Sequence, residues 1–446
     1  MAKSTTKRIR FRRRLEYSGR SVSSSKLIVT IKSPTPSTVS LMSGLRRTLG
    51  PVGASGIGVA SMVGAGAFYV WAPAASLAGS LLWVSLVLAG LIALLNALVM
   101  AQLTIHNAVS GGAYRYGQKY IGPKAGFLAG WFFLVGKTAS AAAISAIAGR
   151  YLWPENPSLV AVGLLVVFAA ANISGLRTTA AISVLIAVVV VGFLITTLVG
   201  ASSGVSPLDF SGDASAWGVL PAAGLIFFAF AGYARMATLG EEVSNPVTVL
   251  PRVIVATLLG VLVLYGAIAV VLVGSLGTDA LAVSEAPLAD IAPASLAPWV
   301  IAVAALASLG SLAAVLAGLS RTSMAMAQHG DLPSSLGVVW GRTSSPAIAE
   351  MTMTLGAIVA VVLVDPIWLV GASSSAVLSY YAIAHGAALK QPEAERILPV
   401  FVPWLGLVGC VSLVATLPWP SVATGGVIFA LGLVVWALKK NPTLNH

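Results

Sequence analysis

The apolar positions of this chain gather into long blocks instead of alternating with polar ones. Twelve blocks stand at 52–77, 80–102, 124–149, 158–174, 178–200, 218–240, 252–276, 296–327, 347–364, 366–387, 397–417 and 420–438. A helix needs about 20 apolar residues to cross the hydrocarbon of a bilayer, so each block predicts a membrane-spanning helix. The connections are short and rich in Pro, Gly and Ser, with no loop long enough for an independent domain. At Asp365-Pro366 and Pro418-Trp419-Pro420, proline stops one helix and starts the next.

Two blocks are interrupted by glycine. Block one reads Met62-Val63-Gly64-Ala65-Gly66-Ala67-Phe68, and block six reads Phe227-Phe228-Ala229-Phe230-Ala231-Gly232-Tyr233. Glycine's permissive backbone lets a helix unwind at such places. These blocks open two successive groups of five, and interrupted segments at matching places in two halves point to a transporter binding site. Backbone freed at membrane depth must line a protein cavity. Its N–H groups favour an anion and its carbonyls an ammonium, the two ends of an α-amino acid. Either glycine cluster alone reads as close helix packing; the paired placement favours binding.

Charge sharpens the picture. The chain has 446 residues, 57% hydrophobic and 9% charged, with net charge +12. A soluble globule averages about 25% charged residues, which excludes that class. The positive balance is not a nucleic-acid footprint, because residues 1–50 hold 12 of the 26 Lys and Arg and one acid, Glu16. The rest is nearly neutral. Residues 1–45 are expected to be a disordered basic cytoplasmic tail whose cations can lie on anionic lipid, at about 1 kcal/mol each. They equally serve as topological ballast, and Met42 is a plausible later start. With the N-terminus inside, the inner loops and C-terminus collect 11 Lys or Arg (among them Arg115, Lys119, Arg252 and Arg321), against Arg150 alone outside. That asymmetry predicts a multi-pass protein with both termini cytoplasmic.

Two basic residues fall inside blocks. Lys137 lies ~18 Å from either end of its helix, where a charge costs at least ~2.5–3.5 kcal/mol and must face a partner or a wet cavity. It is a candidate for contact with a substrate carboxylate and for proton coupling; a structural lysine satisfied by serine hydroxyls and carbonyls is the even alternative. Arg235 is ~9 Å from the cytoplasmic end and two turns before Glu242, which favours a snorkelled charge or an inner-gate pair. Glu241 and Glu242 read as gate partners of Arg252, Arg321 or Arg342, or as solvated loop charge. His385 reads as a satisfied packing residue. Cys410 stands alone and the four histidines are scattered, so no disulfide, metal site or cofactor is expected. Ser140 lies three residues from Lys137, but no oxyanion site accompanies the pair. No Gly-x-x-x-x-Gly-Lys-Ser/Thr loop occurs, which argues against ATP-driven transport.

The chain resembles the amino acid–polyamine–organocation (APC) superfamily of secondary transporters from Gly50 to the last block. The resemblance rests on Met62–Phe68; on Ser110-Gly111-Gly112-Ala113-Tyr114-Arg115-Tyr116 with Gly126–Trp131; on Phe227–Tyr233 with Glu241-Glu242-Val243-Ser244-Asn245-Pro246; and on Arg321 through Gly330-Asp331-Leu332-Pro333. It implies an all-α polytopic membrane protein of twelve transmembrane helices with a LeuT-type 5+5 inverted repeat and discontinuous helices 1 and 6. The transporter domain would span 50–440, with repeats at about 50–200 and 215–387 and peripheral helices at about 397–438. It implies that Val63, Gly64, Ala65 and Gly66, with Phe230, Ala231 and Gly232, clasp the substrate. Phe228 falls where an aromatic gate often stands. Val315 replaces an aromatic contact of some relatives, leaving a more aliphatic pocket, and Ser308 and Ser311 become candidate hydroxyls near the unwound part of helix 1. Two departures unsettle the usual coupling scheme: Ala234 stands where many relatives carry an acid, and Val184–Val191 lacks the lysine of some proton-coupled relatives.

The expectation is a plasma-membrane secondary transporter, not an enzyme, carrying a neutral amino acid inward by alternating access, with protons as candidate coupling ion. Exchange, export and polyamine transport are the alternatives.

Overall fold

A computed structural model describes residues 49–107, 111–174, 180–206, 215–233, 236, 243–341 and 345–440. Sixteen α-helices are described: α1 Pro51–Met62, α2 Ala65–Tyr69, α3 Trp71–Ala78, α4 Leu82–His106, α5 Ala113–Tyr120, α6 Pro123–Leu152, α7 Pro157–Ile173, α8 Ala180–Ala201, α9 Val219–Phe230, α10 Pro246–Val283, α11 Pro287–Asp290, α12 Ala297–Gln328, α13 Ala347–Leu363, α14 Pro366–Lys390, α15 Phe401–Thr416 and α16 Trp419–Lys440. The extended pairings among the described residues are two isolated bridges, Leu49–Val243 and Trp340–Ser345. Among the described residues, nine helical segments are long and apolar enough to cross a bilayer; α7, α13 and α15 are apolar but only 17, 17 and 16 residues long. The protein is an all-helical, polytopic membrane protein.

Proline opens many of these helices. Pro51, Pro123, Pro157, Pro246 and Pro366 sit in first turns, where the missing N–H has no partner to lose. The Asp365-Pro366 turn falls as expected. The seventh block differs: α10 begins at Pro246 and continues through Pro251 to Val283. Pro251, in the second turn, removes the one ladder bond that an N–H there would have made to the Val247 carbonyl. Near its far end Gly277, at φ 75°, breaks the helical geometry.

Helices pack in a pattern that relates the two halves. The second block (α4) lies on the seventh (α10), the third (α6) on the eighth (α12), and the fourth (α7) on the ninth (α13). Within each half the first and last members also meet, α1 on α8 and α9 on α14. α6 and α14 form the central pair. Gly136 permits their approach, since a Cβ there would lie 2.9 Å from that of Ala376. Outer faces are apolar, with Leu185, Val188, Val199, Leu355, Leu363 and Trp404 all exposed. In a bilayer such faces meet lipid.

α5 knots one end of the bundle. Its Ala113 amide donates to the Tyr380 hydroxyl of α14 (2.9 Å), and its Tyr114 hydroxyl donates to Asp331 beyond α12 (2.6 Å). Its Tyr120 hydroxyl donates to Glu395 in the loop before α15.

Candidate functional site

The first block breaks where the sequence places its glycines. α1 ends at Met62, Val63 turns out of the helix (φ −81°, ψ 67°), Gly64 is extended (φ −120°, ψ −148°), and α2 restarts at Ala65. The break is confined to Val63-Gly64; Gly66, expected to unwind with them, is helical. In the sixth block the α-helix ends at Phe230 and tightens into a 3-10 turn over Ala231–Tyr233.

Close approach explains the glycines at both breaks. A Cβ on Gly64 would lie 2.5 Å from Cβ and Oγ of Ser311, and one on Gly66 would lie 2.7 Å from Cα of Ala229. At Gly232 it would meet the Ser61 carbonyl oxygen at 2.1 Å. The two interrupted segments therefore rest directly on each other and on α12. Tyr265 of α10 ties them together: its hydroxyl donates to the Met62 carbonyl (2.8 Å) and stands 3.2 Å from the Ala229 carbonyl.

Between the breaks lies a cavity with about 20 Å³ of free space, room for one or two water molecules and much less than an amino acid occupies. Gly64, Ala65, Gly66, Phe228, Ala231, Gly232, Ser311, Val315 and Lys137 line it, as do Ser61, Met62, Ala229, Ser140 and Ile144. The amides of Ala65 and Gly66 open α2, so by position they have no carbonyl one turn back.

Lys137 enters from α6, 5% exposed, and its ammonium donates to the Ala231 carbonyl at 3.0 Å. The lysine thus finds its partner at the second break. Ser140, one turn along α6, bonds the Gly136 carbonyl (3.0 Å) and the Ser373 hydroxyl of α14 (2.6 Å). Ser311 donates to the Ser308 carbonyl (3.0 Å). Among the described residues no carboxylate lines the cavity, and no group of three His, Cys, Asp or Glu stands together.

Three expected site residues stand off the cavity. Val63 is buried at the break itself, and Phe230 packs on the Tyr265 ring (5.0 Å). Ser308 spends its hydroxyl on Ala304, one turn back in its own helix (2.7 Å). Arg235, Glu241 and Glu242, the expected gate, lie outside the described residues, as does the tail of residues 1–45. His385 is away from the cavity and only half satisfied: Nε2 meets Asn96 Oδ1 at 2.6 Å, while Nδ1 has no partner. Sequence reading missed Ser61, Met62, Ile144 and Tyr265 as site residues. Ile144 and Ser140 follow Lys137 at helical spacing, a legible signal; Tyr265 carries none, because only folding brings α10 to the breaks.

A family model described as amino acid permease matches residues 49–438. An uncharacterized transporter of Mycobacterium tuberculosis is 42% identical over 406 residues, covering 89% of this chain and 92% of its own length. The branched-chain amino acid permease BcaP of Bacillus subtilis is 25% identical over 447 residues, covering 90% and 95%. A cationic amino acid transporter of Arabidopsis thaliana, chloroplastic, is 30% identical over 258 residues, covering 51% and 44%.

Proposed function

The chain belongs to the amino acid permease family of the APC superfamily, and from that membership we propose that it carries a neutral aliphatic amino acid across the plasma membrane by alternating access. The observation that carries the choice of substrate is Lys137, held on the Ala231 carbonyl inside a cavity with no acid in its described walls. A second cation beside a desolvated ammonium is strongly disfavoured, which argues against cationic amino acids and polyamines. The remaining walls, with Met62, Ile144, Phe228 and Val315, suit a branched aliphatic side chain, and branched-chain permeases are among the relatives.

Substrate carboxylate and amine would meet backbone around Gly64–Gly66 and Ala231–Gly232, after the cavity widens. Loop charge supports twelve spans with cytoplasmic termini, and the two-turn spacing of Arg235 and Glu242, with Glu241 beside them, supports these three as the inner gate. Uptake coupled to protons is the working direction, with Lys137 as the group that takes and releases the proton.

Radiolabelled leucine uptake into proteoliposomes tests this. Isoleucine and valine should compete, whereas lysine, arginine and putrescine should not; an inward proton gradient should accelerate uptake. Lys137→Met should abolish the gradient's effect while leaving counterflow exchange measurable. Competition by lysine equal to that by isoleucine would sink the neutral-substrate reading, and an undiminished gradient effect in Lys137→Met would remove the coupling role.

A further inference from the structure

Ser140 stands on the cavity wall with a second hydroxyl behind it. It is 3% exposed, donates to the Gly136 carbonyl (3.0 Å) and meets the Ser373 hydroxyl of α14 at 2.6 Å. Ser373 is itself fully buried. A pair of serine hydroxyls brings one hydrogen and two acceptor lone pairs from each partner. The Gly136 carbonyl takes one hydrogen, and the contact between the serines takes the other. No hydrogen is left over, while unused lone pairs remain. Among the described residues no further donor reaches either oxygen. The pair therefore offers a ligand an acceptor, and what it lacks is a donor.

Its place on the wall decides which part of a ligand it meets. Lys137, Ser140 and Ile144 follow one another at spacings of three and four along α6, so they share one face. Lys137 marks the polar end, on the Ala231 carbonyl, and Ile144 belongs to the apolar wall with Phe228 and Val315. Ser140 comes between them, ~4.5 Å along the helix axis from Lys137. In an α-amino acid the β-substituent likewise comes between the charged groups and the tip of the side chain. The other cavity serines sit at the first break, where the charged ends would go. Ser61 is spent on the Ile57 carbonyl (2.6 Å), and Ser311 lies against Gly64 with its hydroxyl on the Ser308 carbonyl.

We propose that the Ser140–Ser373 pair is a subsite for a β-hydroxyl, so that the carrier takes threonine as well as valine. This rests on the neutral carrier reading above and extends it from aliphatic to hydroxylated side chains, with Ser140 as the specificity-determining residue. Threonine has the branched shape of valine, with a hydroxyl in place of one methyl. A wholly apolar wall rejects that hydroxyl by about a hundredfold, because burial strands its hydrogen. Ser140 can receive the hydrogen on a spare lone pair, which removes the penalty. Valine sets a methyl against the same oxygen, which already takes part in two hydrogen bonds, so it is not excluded.

Competition of valine and threonine with radiolabelled leucine in counterflow, together with thermal shift on purified protein, gives their affinity ratio. In the wild type threonine should bind within about tenfold of valine. Ser140→Ala should widen the ratio against threonine by about tenfold or more, whatever it does to the two ligands together. The ratio separates a subsite from a brace: if the pair only ties α6 to α14, both ligands weaken alike. Because Ser140→Ala leaves the Ser373 hydroxyl without its partner, the variant is also made with Ser373→Ala added, and the widened ratio should persist. Threonine more than about tenfold weaker than valine in the wild type would overturn the inference. So would an unchanged ratio in Ser140→Ala, or a wild-type ratio regained in the double variant. Should neither variant fold, the wild-type ratio decides by itself. Failure of the wild type to bind leucine, isoleucine or valine would overturn the carrier reading instead, and this inference with it.

Discussion

At the scale of the residue, the site glycines serve contact as well as backbone freedom, and the contacts differ in kind. A Cβ at Gly64 meets the Ser311 side chain, whereas one at Gly232 meets the Ser61 peptide itself. Overpacking a filled interior costs about 1–3 kcal/mol, and relief depends on whether the obstructing atom can be removed. Gly64→Ala should therefore lower the melting temperature and impair leucine transport, and adding Ser311→Gly should restore much of both. Gly232→Ala should be damaged comparably or more, and Ser61→Gly should not rescue it, because the obstructing carbonyl remains. Gly163 and Gly266, where an added Cβ meets nothing within 4 Å, serve as controls. Melting curves and uptake rates of these variants read the difference; equal rescue at both sites would contradict the contact geometry. Such distinctions are not written in the sequence, where Gly64 and Gly232 look alike.

At the scale of the element, short α5 does more than join two long helices. Its Tyr120 hydroxyl donates to Glu395, and Lys119 stands 4.0 Å from the same carboxyl. These groups lie outside the spans. The Tyr120 hydrogen bond, ahead of the Lys119 charge, holds the Glu395 carboxyl below its ordinary range. A carboxyl depressed in the folded state stabilises the anchor above its unfolded pKa, about 4.3, and loses that contribution as pH falls through the folded value. The loop at 391–400 should therefore be protected from hydrogen exchange at neutral pH and loosen only in acid. Tyr120→Phe removes the main cause of the depression, so loosening should begin at a higher pH. Mass-detected exchange across a pH series checks this, and an unmoved onset would show that Tyr120 does not set the Glu395 carboxyl. Nothing in the one-dimensional pattern pairs Tyr120 with a glutamate 275 residues away.

At the scale of the whole molecule, the proposal to test is orientation. Cys410 is the chain's single cysteine and is fully buried, so a Cys410→Ala background allows reporter thiols to be placed one at a time. Lys119→Cys should be shielded in intact cells from an impermeant maleimide and become reactive after permeabilisation. Glu155→Cys, in the loop after α6, should react from outside at once. The reverse pattern would invert the topology and undo the assignment of the inner gate. The expectation follows from the loop charges, which the insertion machinery reads before tertiary packing exists.

How much of this protein is written locally follows from what solvates it. In a bilayer every backbone polar group must be satisfied within the structure, so apolar blocks become helices with few alternatives. The apolar blocks, the Asp365-Pro366 turn and a discontinuity within Val63–Gly66 were legible from residues 50–440 for that reason. The depth of Lys137 was legible too, from helix rise alone. Its partner was not: the Ala231 carbonyl is 94 residues distant, and a lysine at that depth could equally have been met by a serine hydroxyl. The extent of unwinding was also undecided, since glycine permits unwinding without requiring it. In the fold Gly64 lies against Ser311 and Gly66 against Ala229, with Gly66 helical and the first break confined to Val63-Gly64. Tertiary structure likewise sets Phe230 against the Tyr265 ring and off the cavity, because α10 packs beside the second break. Hydrophobic pattern is a property of single segments and decides which of them enter the membrane. Which groups meet inside depends on how those segments press together, and local sequence carries little record of that.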